Sequence, residues 1–264
     1  MQLEIDAGNA LHVIDHAAKD AVTFVFVNAL TGTTEHWEAE VAPALRAEGF
    51  GTVSWNFRGQ PESAFSEVEI TDEVIVADLG RVLAATAPAR PVLVGLSIGG
   101  LYAARAHLAG HACAGLVLLN TLREIGPRIA WINDALPHVA ATVGPGVFTD
   151  AMSPMILNPE ALAAARPSAF ATPYAPLPPE NGIMNLLRNS PATDWAAPWS
   201  EISVPTLVIT GHHDRVFRDP EVIDRLAAAI PACTREEWED CGHMVPVERP
   251  GRLIESLARF GRSL

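Results

Sequence analysis

Hydrophobic and polar residues change their rhythm three times along the chain. At the start, residues 2–6 and 11–14 alternate on either side of Ala7-Gly8-Asn9. That pattern predicts an opening β-hairpin, because successive side chains of a strand face opposite sides. The next apolar runs do not alternate. Residues 22–27, 51–55, 91–95 and 114–119 are short and continuous, as in strands buried on both faces of a parallel sheet. Between them, 35–48, 71–86 and 98–109 place apolar residues at helical spacing. Strand and helix in alternation predict right-handed crossovers and an α/β fold, a mostly parallel sheet flanked by helices.

The rhythm lapses over 121–199. This stretch is crowded with prolines (Pro127, Pro137, Pro145, Pro154, Pro159 and others) and predicts short helical pieces at best. Its aromatic and methionine residues are too many for an exposed linker, so it reads as a lid that packs over something. Trp131, Phe148, Met155 and Phe170 are expected to line or cover an apolar cleft beneath it. Beyond it the alternation resumes: a strand at 204–210, a helix opened by Asp219-Pro220-Glu221, a strand at 234–238 and a closing helix at 250–260. Aspartate as N-cap with proline at the first helical position is a standard start signal. The expected division is therefore a core formed by 1–120 and 200–264, with 121–199 inserted as the lid.

Composition narrows the function more than the fold. The 264 residues include 49% hydrophobic and 19% charged side chains, enough apolar material for one elaborated domain and no sign of disorder. The net charge of -13 repels polyanions, and no run of Lys or Arg offsets it, which argues against nucleic-acid binding. Cys113, Cys233 and Cys241 are too few and scattered for a disulfide framework. With no secretory pattern at the N-terminus and no apolar run of spanning length, a cytoplasmic protein off the membrane is expected.

The candidate chemistry begins at Gly95-Leu96-Ser97-Ile98-Gly99, where a buried strand is expected to turn into a helix. A serine that projects its hydroxyl clear of a sheet needs a very tight turn, and side chains two residues before and after it would collide. Glycine stands at both places. Serine is a poor nucleophile at neutral pH and needs an imidazole to take its proton. His243, in Asp240-Cys241-Gly242-His243-Met244-Val245-Pro246 after the last expected strand, is placed to supply it. An acid must then fix the imidazole. Asp214, in Gly211-His212-His213-Asp214 at a strand's carboxyl end, is the first candidate, with Glu124 and Asp240 as alternatives. Metal ligation by this histidine-rich set is disfavoured: adjacent histidines diverge, and no partner motif accompanies them. The chemistry calls for no cofactor.

These three motifs together resemble the elbow, acid loop and histidine loop of the α/β-hydrolase superfamily. The resemblance spans the chain outside the lid and implies the α/β-hydrolase fold. Asn28-Ala29-Leu30-Thr31-Gly32 occupies the place of the family's oxyanion loop, in a form similar to enol-lactone hydrolases and small esterases. It implies that the amide of Ala29 or Leu30 joins that of Ile98 in holding an oxyanion. Asn56-Phe57-Arg58-Gly59-Gln60-Pro61-Glu62-Ser63 stands where the family carries Asp-x-Arg-Gly-x-Gly-x-Ser, and departs from it in asparagine, glutamine and proline. Arg58 reads as a brace for that loop. Serine at 97 argues against chemistries that need a carboxylate nucleophile. The leading expectation is a serine hydrolase acting on a small, fairly apolar carboxylic ester or lactone. Two others stand beside it. One is a carbon–carbon bond hydrolase of a diketone-like or dienoate substrate, for which Arg123, Arg128, Arg166 and Arg188 offer a cationic site. The other is a non-catalytic binding protein on the same fold.

Overall fold

Continuous apolar runs bury both faces of the five central strands, and two layers of helices cover them. The computed structural model describes residues 1–6, 8–64, 69–171 and 173–264; Ala7, expected in the hairpin turn, lies outside them. The hairpin pairs β1 (Gln2–Asp6) with β2 (Asn9–His16) antiparallel. β2 then runs antiparallel to β4 (Gly51–Trp55). From there the sheet is parallel through β3 (Val22–Val27), β5 (Arg90–Leu96), β6 (Gly115–Leu119), β7 (Thr206–Gly211) and β8 (Cys233–Trp238). The spatial order is β1-β2-β4-β3-β5-β6-β7-β8.

Strand alternation distributes the core. Val25, Val27, Leu93, Leu116 and Leu118 face one apolar layer, while Phe24, Phe26, Val92, Val94, Val117 and Leu119 face the other. The first layer takes residues of α3 (Asp72–Thr86), α4 (Ile98–Leu108) and α9 (Pro220–Ala229). The second takes residues of α1 (Glu35–Glu38), α2 (Val41–Ala47), α10 (Val245–Glu248) and α11 (Pro250–Ser263).

Two expectations need correction. The single helix expected over 35–48 is two, broken at Glu40, whose φ of -141° leaves the helical region. The 121–199 stretch holds more helix than its prolines suggested: α5 (Pro127–Thr142), α6 (Pro145–Ile156), α7 (Pro159–Ala165) and α8 (Gly182–Asn189). Pro127, Pro145 and Pro159 occupy the first position of their helices, where the missing N–H is no loss and the fixed φ suits the turn. They start helices rather than break them. Only Pro137 and Pro154 lie in helix interiors. Asp219 caps α9 as expected, accepting from the Val222 amide.

The chain leaves β3 for β4 on one side and returns to β5 on the other. At such a reversal the connections diverge and open a crevice at the strands' carboxyl ends. Ser97 follows β5 at that point.

Candidate functional site

Ser97 links β5 to α4 with φ 58° and ψ -121°, a backbone region that L-residues enter only under constraint. The constraint is visible in its neighbours. A Cβ on Gly95 would come 2.3 Å from the Gly100 nitrogen, and one on Gly99 would come 2.3 Å from the Val27 carbonyl oxygen. The helix therefore begins hard against β3, and the Ser97 amide is tied to the Leu119 carbonyl at 2.8 Å.

His243 and Asp214 meet from two other loops. Imidazole Nδ1 lies 2.6 Å from Asp214 Oδ2; a carboxylate only accepts, so Nδ1 carries the proton and Nε2 presents a lone pair. The other oxygen, Oδ1, accepts from the amides of Val216 and Phe217 at 3.2 and 2.9 Å. Burial by itself would raise the pKa of Asp214. The His243 hydrogen bond and charge, the Phe217 amide and the Arg123 charge outweigh it and hold the carboxyl below its usual 3.8. Of the alternative acids, Glu124 pairs with Arg225 and Asp240 with Arg249 and Arg252, all at 2.8 Å. Neither contacts His243.

Two residues that sequence reasoning passed over hold these loops in register. Asn120, just past β6 in a left-handed conformation (φ 47°), spends its whole side chain on them. Its Nδ2 donates to the carbonyls of Gly242 and His243, and its Oδ1 accepts from the Gly211 amide. The buried carboxylate of Glu248 accepts from the amides of Gly242, Met244 and Asn158. An asparagine at the carboxyl edge of a fully apolar strand was the one available signal for Asn120. For Glu248 there was none, since its partners are backbone groups.

The 121–199 segment is sewn to the same loops. The amide of His243 donates to the Ile156 carbonyl at 2.6 Å and that of Arg215 to Met155 at 2.9 Å. Asn158 Nδ2 reaches the Asp240 carbonyl. Of the side chains expected in a pocket, Trp131, Met155 and Phe170 are exposed and Phe148 is half-buried.

Around the oxyanion-loop positions lies a buried amide cluster. Asn28 Nδ2 faces the Trp55 carbonyl, Asn56 Oδ1 and Gln60 Oε1, and its Oδ1 accepts from the Trp37 indole. Gln60 Nε2 donates to the carbonyls of Ala29 and Leu30 at 2.9 and 3.1 Å. Asparagine and glutamine at 56 and 60, the departures from the family turn, thus both bond to Asn28 and tie their turn to the 28–34 loop. Among the described residues the amides of Ala29, Leu30 and Ile98 donate to no backbone acceptor. Arg58 braces the turn through a bidentate pair with Asp78, at 2.6 and 2.9 Å.

Ser97 Oγ does not hydrogen-bond to His243. Its partner is Arg123, whose Nη2 donates to it at 3.1 Å and to the Asn120 carbonyl at 2.5 Å. The guanidinium lies 4.5 Å from the Trp195 ring centroid and 4.4 Å from that of Phe217, and Phe217 packs against the imidazole of His243 at 4.8 Å. Ser97, Arg123, Phe217, His243 and Asp214 form one contiguous cluster. Burial lowers the Arg123 pKa to about 10, with the Asp214 charge opposing. Arg128, Arg166 and Arg188, grouped with it on sequence, are exposed.

Residues 24–256 match the model of the alpha/beta hydrolase family. The chain belongs to that family. It is 27% identical over 262 residues to a carbamate hydrolase by name, RutD of Variovorax paradoxus, covering 96% of this chain and 94% of that one. To 3-oxoadipate enol-lactonase 1 of Acinetobacter baylyi it is 24% identical over 267 residues, covering 97% and 95%. The crystal structure of the enol-lactonase from Burkholderia xenovorans LB400 superposes with a TM-score of 0.78 at 24% identity, over 96% of each chain. At this level an alpha/beta hydrolase fold and a hydrolase function are in hand. Among the described residues no helix is long and apolar enough to cross a membrane, and no group of three or more His, Cys, Asp or Glu is placed to hold a metal ion.

Proposed function

We propose that this alpha/beta hydrolase cleaves a small carboxylic ester or lactone through an acyl-enzyme on Ser97. The observation that carries the reading is the constrained serine at the β5–α4 junction, in one buried cluster with an imidazole whose Nδ1 is bound to a buried carboxylate. The Ser97 hydroxyl turns its proton to His243 Nε2 as Oγ attacks the carbonyl carbon. The imidazolium so formed is stabilised by Asp214, and the amides of Ala29 or Leu30 and of Ile98 take the oxyanion. Collapse of the tetrahedral adduct expels the alkoxide, which leaves with the proton from Nε2. Water, deprotonated at the same nitrogen, then attacks the acyl-enzyme and returns the hydroxyl to Ser97. The enol-lactonase name among its relatives favours this substrate class.

The 121–199 segment is proposed as the lid over the site, and the free cysteines fit a reducing, cytoplasmic setting. Arg123 beside Ser97 favours one second reading, carbon–carbon hydrolysis of a dienoate that carries a carboxylate. Assay of the pure protein and of Ser97→Ala on p-nitrophenyl esters, lactones and dienoates tests both. The variant is expected to lose about six orders of magnitude in turnover. Retention of activity by pure Ser97→Ala ends the serine reading, and a dienoate preferred over every ester decides for the second.

A further inference from the structure

Arg123 is a buried cation that makes no direct ion pair among the described residues, although the charge of Asp214 acts on it. No carboxylate among the described residues pairs with it, although the acids around it are paired elsewhere: Asp214 with His243 and Glu124 with Arg225. Its fixed bonds run to neutral oxygens. Nε donates to the Thr121 carbonyl, Nη2 to the Asn120 carbonyl and to Ser97 Oγ, while Nη1 has no acceptor among the described residues. Two aromatic rings hold the guanidinium plane. Buried charges in proteins are held in place by a partner of opposite sign, because desolvation is otherwise too costly. A fixed guanidinium with free donors, next to a nucleophile, is built for an anion that arrives with the substrate.

We infer that Arg123 receives a carboxylate carried by the substrate itself, close to the carbonyl that Ser97 attacks, so that the preferred substrates are half-esters or lactone acids rather than neutral esters. This deepens the reading of Ser97 as nucleophile and rests on it. Nη2 is 3.1 Å from Ser97 Oγ, a charge-assisted hydrogen bond adds about 2.8 Å and an attack-ready carbonyl about 3 Å. A carboxylate that takes Nη2 therefore lies within about 9 Å of the reacting carbon. Half-esters of short diacids, roughly three to five carbons, meet that limit. The same contact explains why Ser97 is bonded to Arg123 and not to His243 here: a carboxylate drawing the guanidinium donors to itself releases Oγ for the imidazole.

Monoethyl succinate and diethyl succinate are matched probes that differ in charge. The wild-type protein is expected to cleave the half-ester with a kcat/KM at least about tenfold higher, the worth of one charge-assisted hydrogen bond. Arg123→Met should shrink that preference by a similar factor, chiefly by raising KM for the half-ester, and Arg123→Lys should restore part of it. Equal or faster cleavage of the diester by wild type, or the same factor lost on both esters in Arg123→Met, overturns the inference. Should Arg123→Met fail to fold, the unmodified protein still decides: succinate must inhibit diester hydrolysis competitively and at least about tenfold better than succinamide. A fluorophosphonate probe separates the two levels. Labelling at Ser97 without any preference for the acid overturns this inference alone, and absence of labelling overturns the serine mechanism with it.

Discussion

Asp214 shows how a single residue can be used from both ends. One oxygen faces the imidazole, the other is saturated by two backbone amides, and the group is buried. Its folded pKa lies below the ordinary 3.8. A carboxylate lowered on folding stabilises the native state fully above its unfolded pKa and loses that contribution as pH falls through the folded value. Asp214→Asn is therefore expected to cost about 1–3 kcal/mol, a gap that stays constant from about pH 5 to 8 and narrows only below about pH 4. Urea denaturation of both proteins across that range measures it. A gap that instead closes between about pH 6 and 8 would assign the effect to a different group.

Among the elements, the decisive arrangement is how β6, β7 and the histidine loop are tied together. Asn120 makes three bonds to the latter two, and Ile156 at the end of α6 takes the His243 amide. The acid, the base and the 121–199 segment are consequently one mechanical unit. Asn120→Ala leaves two carbonyls and an amide without their partner and places alanine at a positive φ. A loss of about 2–4 kcal/mol in stability is expected, together with a fall in turnover. Hydrogen exchange should show the Gly211 and His243 amides opening together and faster in the variant. Unchanged exchange at those two amides, with only a uniform drop in global stability, would mean that the loops are held by something else.

Over the whole molecule, a net charge of -13 surrounds a site whose innermost charge at Ser97 is positive. The outer field repels an anionic substrate, and salt screens that long-range repulsion far more than it weakens a buried contact. Raising ionic strength from about 0.01 to 0.15 M shortens the screening length from about 30 to 8 Å. The kcat/KM for monoethyl succinate is expected to rise about twofold or more over that interval, while that for diethyl succinate stays level. Steady-state rates in sodium chloride check this, and a falling value for the half-ester would place the governing attraction at the surface.

What the sequence determined by itself was the order of strands and helices and the identity of the strained turn. Continuous apolar runs of five or six residues between turn signals fit strands covered on both faces, and glycine on both sides of Ser97 answers a steric demand that is local to the turn. Asp219 and the prolines that open helices were equally local, although in the 121–199 segment proline at a first position was misread as a break. Only the tertiary structure decided which acid meets His243, because Asp214, Glu124 and Asp240 each follow a strand and differ in which cation or imidazole the fold brings to them. It alone singled out Arg123 from three other arginines, by burying it between Trp195 and Phe217 beside Ser97. Asn120 and Glu248 escaped for the same reason: they act on backbone groups of loops about 120 and 90 residues away or, for Glu248, as few as four. No spacing rule records which main-chain amides and carbonyls a fold leaves open for a side chain to take.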